Sequence, residues 1–474
     1  MKSRLTVAAA VLLTAAVCIL ASLWWFSSSP SLPLQPRLPE RDRQTPRQAE
    51  DEVVDLRGRF ERFDGQPSRN LRGAWPRFRG TAFDNIVADP GPLLESWPSN
   101  GPPVLWSVEL GEGYAGPAVA NGCVYLLDYD EQRQGDTLRC FSFEDGREIW
   151  RRTYGVKIKR NHGISRTVPA VTERFVVTIG PKCHVLCCDA QTGEFLWGVD
   201  MVREWGTQVP LWYTGQCPLI DGELAILAPC GSALLVAVDC ASGTIVWQTP
   251  NRKSWQMSHS SVIPMTLSGR RMYVYAAIGG LVGVSAEGQD RGRILWETTE
   301  WTPKIVAPSP VILDDGRIFM TAGYGAGSAM FRVSESNGTY TVKLLFALER
   351  TVFGCEQHTP ICQDGYLYSV LPPDAGAGRG QLACMTTEGV MKWLSGASDR
   401  FGLGPFLMVG GEKMFLLDDS GTLTLARTTP DGYIRLARAR VLEGREAWAP
   451  MAFADGRLLI RDSKRLVCLD VRGK

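Results

Sequence analysis

Residues 183–188 read CHVLCC, a histidine among three cysteines, which is the donor set of a soft-metal site or of a reactive dithiol. Geometry removes both readings if the stretch is a strand. Neighbouring strand residues face opposite sides, so Cys187 and Cys188 point apart, while Cys183 and Cys187 share a face but lie ~13 Å from each other at ~3.3 Å per residue. Zinc ligands sit at about 2.3 Å from the metal and cannot span that gap. Comparable stretches elsewhere carry Cys140, Ala237, Cys384 and Cys468 at this place. Cysteine alternating with alanine is the behaviour of a small buried apolar residue, so the pair is expected to be packing.

Histidine is more informative, because the chain has only four. His184 lies in the stretch just described, whereas His162, His259 and His358 each precede a short apolar run. Tyr114, Arg166, Gln216, Gln357 and Trp448 fall at matching places before other such runs. Arg166, Gln216, His259, Gln357, His358, Tyr114 and Trp448 are therefore the candidate ligand-binding set. Arg166 can hold a carboxylate or phosphate through a two-pronged contact, and histidines with a reference pKa of about 6.5 would make binding depend on pH. A second aromatic cluster, REWGTQVPLWYTGQ at 203–216, either lips that site or fills core, with core filling expected for Trp205 and Trp212.

Other patterns carry less. GEGYAG at 111–116 meets the dinucleotide glycine spacing, but it leads into an apolar strand and not into a helix that could face a pyrophosphate, so it is read as a turn. Asp314 with Asp315 and Asp418 with Asp419 sit beside turn glycines and are read as turn carboxylates. No GxSxG, HExxH, Walker or EF-hand pattern occurs, no catalytic residue is assigned and no metal site is expected. Lys plus Arg (51) nearly equals Asp plus Glu (50), so no field points to nucleic acid.

The elements that must position these residues are written as a repeat. Pro117, Pro169, Pro218, Pro264, Pro310, Pro360, Pro405 and Pro450 each open an apolar run, a turn and a second apolar run, at intervals of 45 to 52 residues. A period in the forties with several strands per unit is the mark of a four-stranded propeller blade. Proline fits the first residue of an inner edge strand, which lacks a partner for its missing N–H. Five units then show a glycine four residues before a tryptophan, Gly146 and Trp150, Gly193 and Trp197, Gly243 and Trp247, Gly292 and Trp296, Gly389 and Trp393, and unit seven has Gly432 followed by Leu436. Unit five is irregular, with Phe346 in the tryptophan place. Unit eight ends after three strands, so residues 104–109, with Trp106, are expected to supply the fourth and close the ring. The segments entering the inner strands converge on the axial mouth, where the candidate set would meet.

Ahead of the repeat, Lys2 and Arg4 precede an uncharged run from Leu5 to Phe26. Its 22 residues would span ~33 Å as a helix, matching a bilayer core of about 30 Å. The run exceeds the apolar core of about 7 to 15 residues of a cleaved signal, so 1–26 is expected to be a retained transmembrane anchor with the rest outside the cytoplasm. Residues 27–71, rich in proline and charge, are expected to be an extended linker, and 72–474 the propeller.

LCCDAQTGEFLW and VAVDCASGTIVW resemble the repeat of the pyrroloquinoline-quinone (PQQ)-binding-like β-propeller family, with Asp189 and Asp239 in its aspartate place. GAWPRFRG, residues 73–80, is similar to the entry segment of membrane-anchored or secreted members. The resemblance implies an all-β, eight-bladed propeller of four-stranded antiparallel blades. It implies two kinds of function: a quinoprotein dehydrogenase, with quinone, calcium and a catalytic aspartate over the axis, or a cofactor-free protein-binding propeller of outer-membrane assembly. The dehydrogenases' vicinal disulfide has no counterpart, since the adjacent cysteines here lie within a repeat strand, and no calcium-ligand set is matched. The expected function is a membrane-anchored extracytoplasmic binding or scaffold module for a protein, peptide or small envelope ligand, without bound PQQ. An enzyme at the propeller axis is the alternative.

Overall fold

The structure, a computed structural model, describes residues 14–20, 22, 53–159, 164–444 and 446–473. The chain divides into two compact units, Met1–Val53 and Val54–Lys474. In the first, residues 14–20 are helical. Most of the expected anchor and much of the expected linker lie outside the described residues. Among the described residues no helix is long and apolar enough to cross a membrane.

In the second unit the described residues form eight sheets whose repeat strands pair antiparallel, built on the proline repeat. Blade 1 comprises Ala118–Ala120, Cys123–Asp130, Gly135–Ser142 and Glu148–Gly155. Blades 2 to 7 begin at Ala170, Leu219, Ile263, Val311, Ile361 and Phe406, each within two residues of its proline. Blade 8 has three strands of its own, Ala452–Ala454, Arg457–Arg461 and Arg465–Asp470. Its fourth is Val104–Glu109, antiparallel to Arg465–Asp470 with Trp106 opposite Cys468. Arg461, fully buried, stitches this seam by donating to the carbonyls of Ala115 (2.9 Å) and Gly111 (3.1 Å) in blade 1's entry turn.

Turn chemistry sets the blades. Asn121-Gly122, Asp364-Gly365 and Asp455-Gly456 join inner to second strands with positive φ at both residues, as a tight hairpin requires. The recurrent glycine before the outer strand has a further reason. A Cβ on Gly193 would stand 2.6 Å from the ring of Trp150 in the preceding blade, and Gly243 and Gly292 meet Trp197 and Trp247 in the same way. Phe346 fills the tryptophan place in blade 5, lying 3.3 Å from a Cβ on Gly389. The tryptophans are thus inter-blade wedges, and Trp197 Nε1 also donates to Cys240 O across the seam at 2.9 Å.

Cys187 and Cys188 are fully buried in two different apolar clusters, on opposite faces of blade 2. Burial pushes the Cys188 thiol up to about 12. Each described cysteine is free, Cys355 and Cys362 included.

Two segments before the repeat depart from the sequence reading. Residues 54–71 are not a solvated tether: Leu56 is buried, and Arg59–Arg62 adds an outermost strand to blade 1, with Phe60 opposite Arg152. The apolar residues of DEVVDLRGRFERF drive this, since Phe60 and Phe63 also receive the Arg152 and Arg151 guanidiniums over their rings at 5.1 and 4.8 Å. The following segment, 75–87, crosses the inner strands. Trp75 pairs with Val119 of blade 1, Pro76 O accepts from Val171 N of blade 2, and Arg77 donates to Ile220 O of blade 3. Buried Arg79 donates to Thr359 O and Pro360 O at blade 6 (2.9 and 3.1 Å), and Ile86–Val87 runs parallel to the inner strand of blade 7. This segment plugs the propeller axis.

Candidate functional site

The entry segments of the blades meet over this plug and enclose a cavity of ≈ 120 Å³. Phe78 reaches it from the plug. Tyr114 comes from the connection into blade 1, Arg166 from that into blade 2, Trp212, Gly215 and Cys217 into blade 3, and His259 into blade 4. Ile305 and Ala307 precede blade 5, Glu356, Gln357 and His358 precede blade 6, and Trp448 and Pro450 precede blade 8. Tyr324 enters from a hairpin of blade 5.

Six of the seven candidates are therefore brought together: Tyr114, Arg166, His259, Gln357, His358 and Trp448. Gln216 is not among them. It is fully buried, and its carboxamide accepts from Ala228 N (3.0 Å) and donates to Ala228 O (3.1 Å). The two-residue alternation of an extended chain explains this, because Gly215 and Cys217 line the cavity and the residue between them faces away. His162 lies outside the described residues. His184 sits in the seam between blades 1 and 2, edge-on to Tyr154 at 5.4 Å.

Among the described residues, Arg166 and Glu356 are the charged side chains that line the cavity. Arg166 lies over the ring of Tyr114 (5.3 Å) and donates from Nε to Trp212 O at 2.6 Å. Burial lowers it to about 10, so it stays charged at neutral pH. Tyr114 donates its hydroxyl to Glu446 at 2.5 Å, and burial with that carboxylate raises the phenol. Burial raises Glu356, partly countered by a hydrogen bond from Tyr324. His259 and His358 are both lowered to about 4, chiefly by burial, with Arg166 and Arg79 respectively adding to the fall. The expectation of histidine-tuned binding near neutral pH is thereby corrected: desolvation keeps both rings neutral throughout that range.

Trp205 fills core as expected, but Trp212 does not: it forms the lip. Its ring stacks against His259 (6.4 Å) and Tyr324 (5.6 Å), and Trp212 and Tyr213 both take left-handed φ, 63° and 71°. Two successive bulky residues in that region store strain that the surrounding contacts must hold, as is common at ligand clamps. The Arg166 bond to Trp212 O and a bond from Tyr213 OH to Lys159 O (2.6 Å) do so. Sequence reasoning missed Phe78, Tyr324 and Glu356. Phe78 was readable as the one apolar side chain between two arginines in GAWPRFRG, but its destination depends on the plug.

Pyrroloquinoline quinone, a fused three-ring tricarboxylate, is poorly matched by this cavity. An apolar cavity of about 150 Å³ holds a single benzene ring, so ≈ 120 Å³ is short of a three-ring system. Among the described residues Arg166 is the one arginine that lines it, against the quinone's three carboxylates, and Glu356 lines it too. Among the described residues no group of three His, Cys, Asp or Glu side chains could hold a metal ion.

Eight four-stranded blades, most of them built on the same turn and wedge, with the axis plugged beneath the mouth, define a PQQ-repeat β-propeller. The model of the family described as outer membrane protein assembly factor BamB matches residues 134–393, more than half of the chain, and the chain belongs to that family. No curated protein matches it. Among solved structures, BamB from Moraxella catarrhalis is 15% identical, with 78% of this chain and 99% of that one covered at a TM-score of 0.52, a likeness of fold. Quinohemoprotein alcohol dehydrogenase from Comamonas testosteroni is 11% identical over 85% and 81% of the two chains, at a TM-score of 0.45.

Proposed function

We propose that this chain is a scaffold propeller of the cell envelope, held to the membrane by the run Leu5–Phe26 and docking a polypeptide partner at the axial mouth. The observation that carries the reading is the aromatic-walled cavity, half open to solvent, assembled from the entry segments of most blades with Phe78 of the plug in its wall. Such a site offers a rigid recess to one projecting group of a partner. The family description, outer membrane protein assembly, supports a protein partner and a periplasmic setting. The proposed ligand set is Arg166, His259, Gln357, His358, Tyr114 and Trp448, joined by Trp212.

The test is site-specific photo-crosslinking in cells. A photoreactive residue at Tyr324, half exposed beside the mouth, should join the chain to a discrete envelope protein, while one at Val390 on blade 6 should not. The reading is overturned if adducts form at Val390 and not at Tyr324. It is equally overturned if the purified full-length chain oxidises alcohols once supplied with the quinone and calcium.

A further inference from the structure

The shape and charge of the cavity narrow what it takes. We infer that it receives one aromatic side chain, phenylalanine or tyrosine, projecting from an extended partner segment. This inference rests on the polypeptide-docking reading above.

Size is the first argument. The volume, ≈ 120 Å³, is close to the roughly 150 Å³ that accommodates benzene in an apolar protein cavity, and far below the ~300–1,000 Å³ of ordinary small-molecule sites. The recess is of the size of one ring. The second argument is the wall. Phe78, Tyr114, Trp212, Tyr324 and Trp448 all line it, so an entering ring finds stacked or edge-on partners that an aliphatic side chain cannot use.

Charge gives no preference for an ion of either sign. Arg166 and Glu356 both line the recess, so a cationic or an anionic side chain would meet a like charge as well as an opposite one and would lose its hydration on entry. A neutral ring avoids both penalties, and its face can receive the Arg166 guanidinium as the ring of Tyr114 already does. The rim argues for a polypeptide as the source of the ring. Tyr324 (53% exposed) and Leu211 (39% exposed) stand at or beside the cavity as apolar surface that flanking residues of a chain would cover.

Ligand-observed fluorine NMR on the full-length chain in mild detergent tests this, with N-acetyl-4-fluorophenylalaninamide as probe. N-acetyl-phenylalaninamide and N-acetyl-tyrosinamide should displace it, with N-acetyl-leucinamide about tenfold weaker and N-acetyl-argininamide weaker still. A pentapeptide with phenylalanine between glycine pairs should bind more tightly than the single amide. Ala307→Phe fills the cavity from its own wall and should abolish displaceable binding, and Trp212→Ala should weaken it about tenfold. Thermal melting confirms that each variant is folded. Equal binding of the leucine and phenylalanine amides overturns the inference, as does unchanged binding in folded Ala307→Phe, or a pentapeptide no tighter than the amide. If the probe fails while crosslinking at Tyr324 persists, ring selectivity falls and polypeptide docking stands. Loss of crosslinking at Tyr324 brings down the docking reading itself.

Discussion

His358 should make the propeller acid-sensitive, and the size of the effect follows from its surroundings. Burial, with Arg79 adding to it, lowers the ring from 6.5 to about 4 against the opposing pull of the Leu403 and Trp448 carbonyls. The unfolded chain therefore binds a proton that the folded chain refuses, so stability is full above about pH 6.5 and is lost as pH falls towards 4. By pH 4.5 the loss from this one ring is about 2.5 kcal/mol relative to pH 8. The ring keeps some exposure to the cavity, so that figure is an upper bound. His358→Gln removes the titration. Urea denaturation of a chain beginning at Val54, at pH 8 and pH 4.5, should show the variant losing about 1–2.5 kcal/mol less than the unsubstituted chain. Asp136 works in the opposite direction. Burial lifts it to about 6 despite bonds from Tyr154 and Ser165, so it favours the folded state as pH falls from 6 towards its unfolded value. It is present in both chains and cancels. Equal losses in the two chains would refute the argument that desolvation holds His358 neutral.

Three further outcomes are expected. A chain beginning at Gly111 lacks both the axial plug and the strand Val104–Glu109, leaves Arg465–Asp470 as an open edge, and should aggregate or swap strands. Size-exclusion chromatography showing a stable monomer would contradict the closure. Cys188→Ala should cost ~1–2 kcal/mol by urea denaturation without changing probe binding, and mass spectrometry of native protein should find no bond between Cys187 and Cys188. Gln216→Ala strands the buried N–H and C=O of Ala228 and should cost ~2–5 kcal/mol, yet any chain that remains folded should bind the fluorinated probe as before.

The repeat was legible because propeller blades restate one local pattern, so proline, turn glycine and tryptophan recur at fixed places and reveal strand order and closure together. Third-strand alternation likewise placed Cys187 and Cys188 on opposite faces. The mouth followed from the same logic, since any residue just before an inner strand must approach the axis. Gln216 fell outside it because one step along an extended segment reverses the side chain, and the register was not fixed by the proline alone. The plug was not legible: Trp75–Val87 has no repeat, and its contacts with blades 1, 2, 3, 6 and 7 join residues as far apart as Arg79 and Pro360. Histidine chemistry was misread because a reference pKa carries no information about burial. Leu56 and Phe60 lie where apolar residues resume in DEVVDLRGRFERF, but so short a pattern at the end of a polar, proline-rich stretch does not by itself tell an added strand from a tether.

The central claim is that the axial mouth is where a polypeptide partner sits. The measurement that bears on it most directly is a cryo-electron microscopy map of the full-length chain extracted from native membranes with its partner attached. Density is expected for an extended segment across the mouth, with one side chain inserted beside Trp212, Trp448 and Phe78. A map with the partner held on the outer strands and the cavity empty, or with a quinone and metal over the axis, would contradict it.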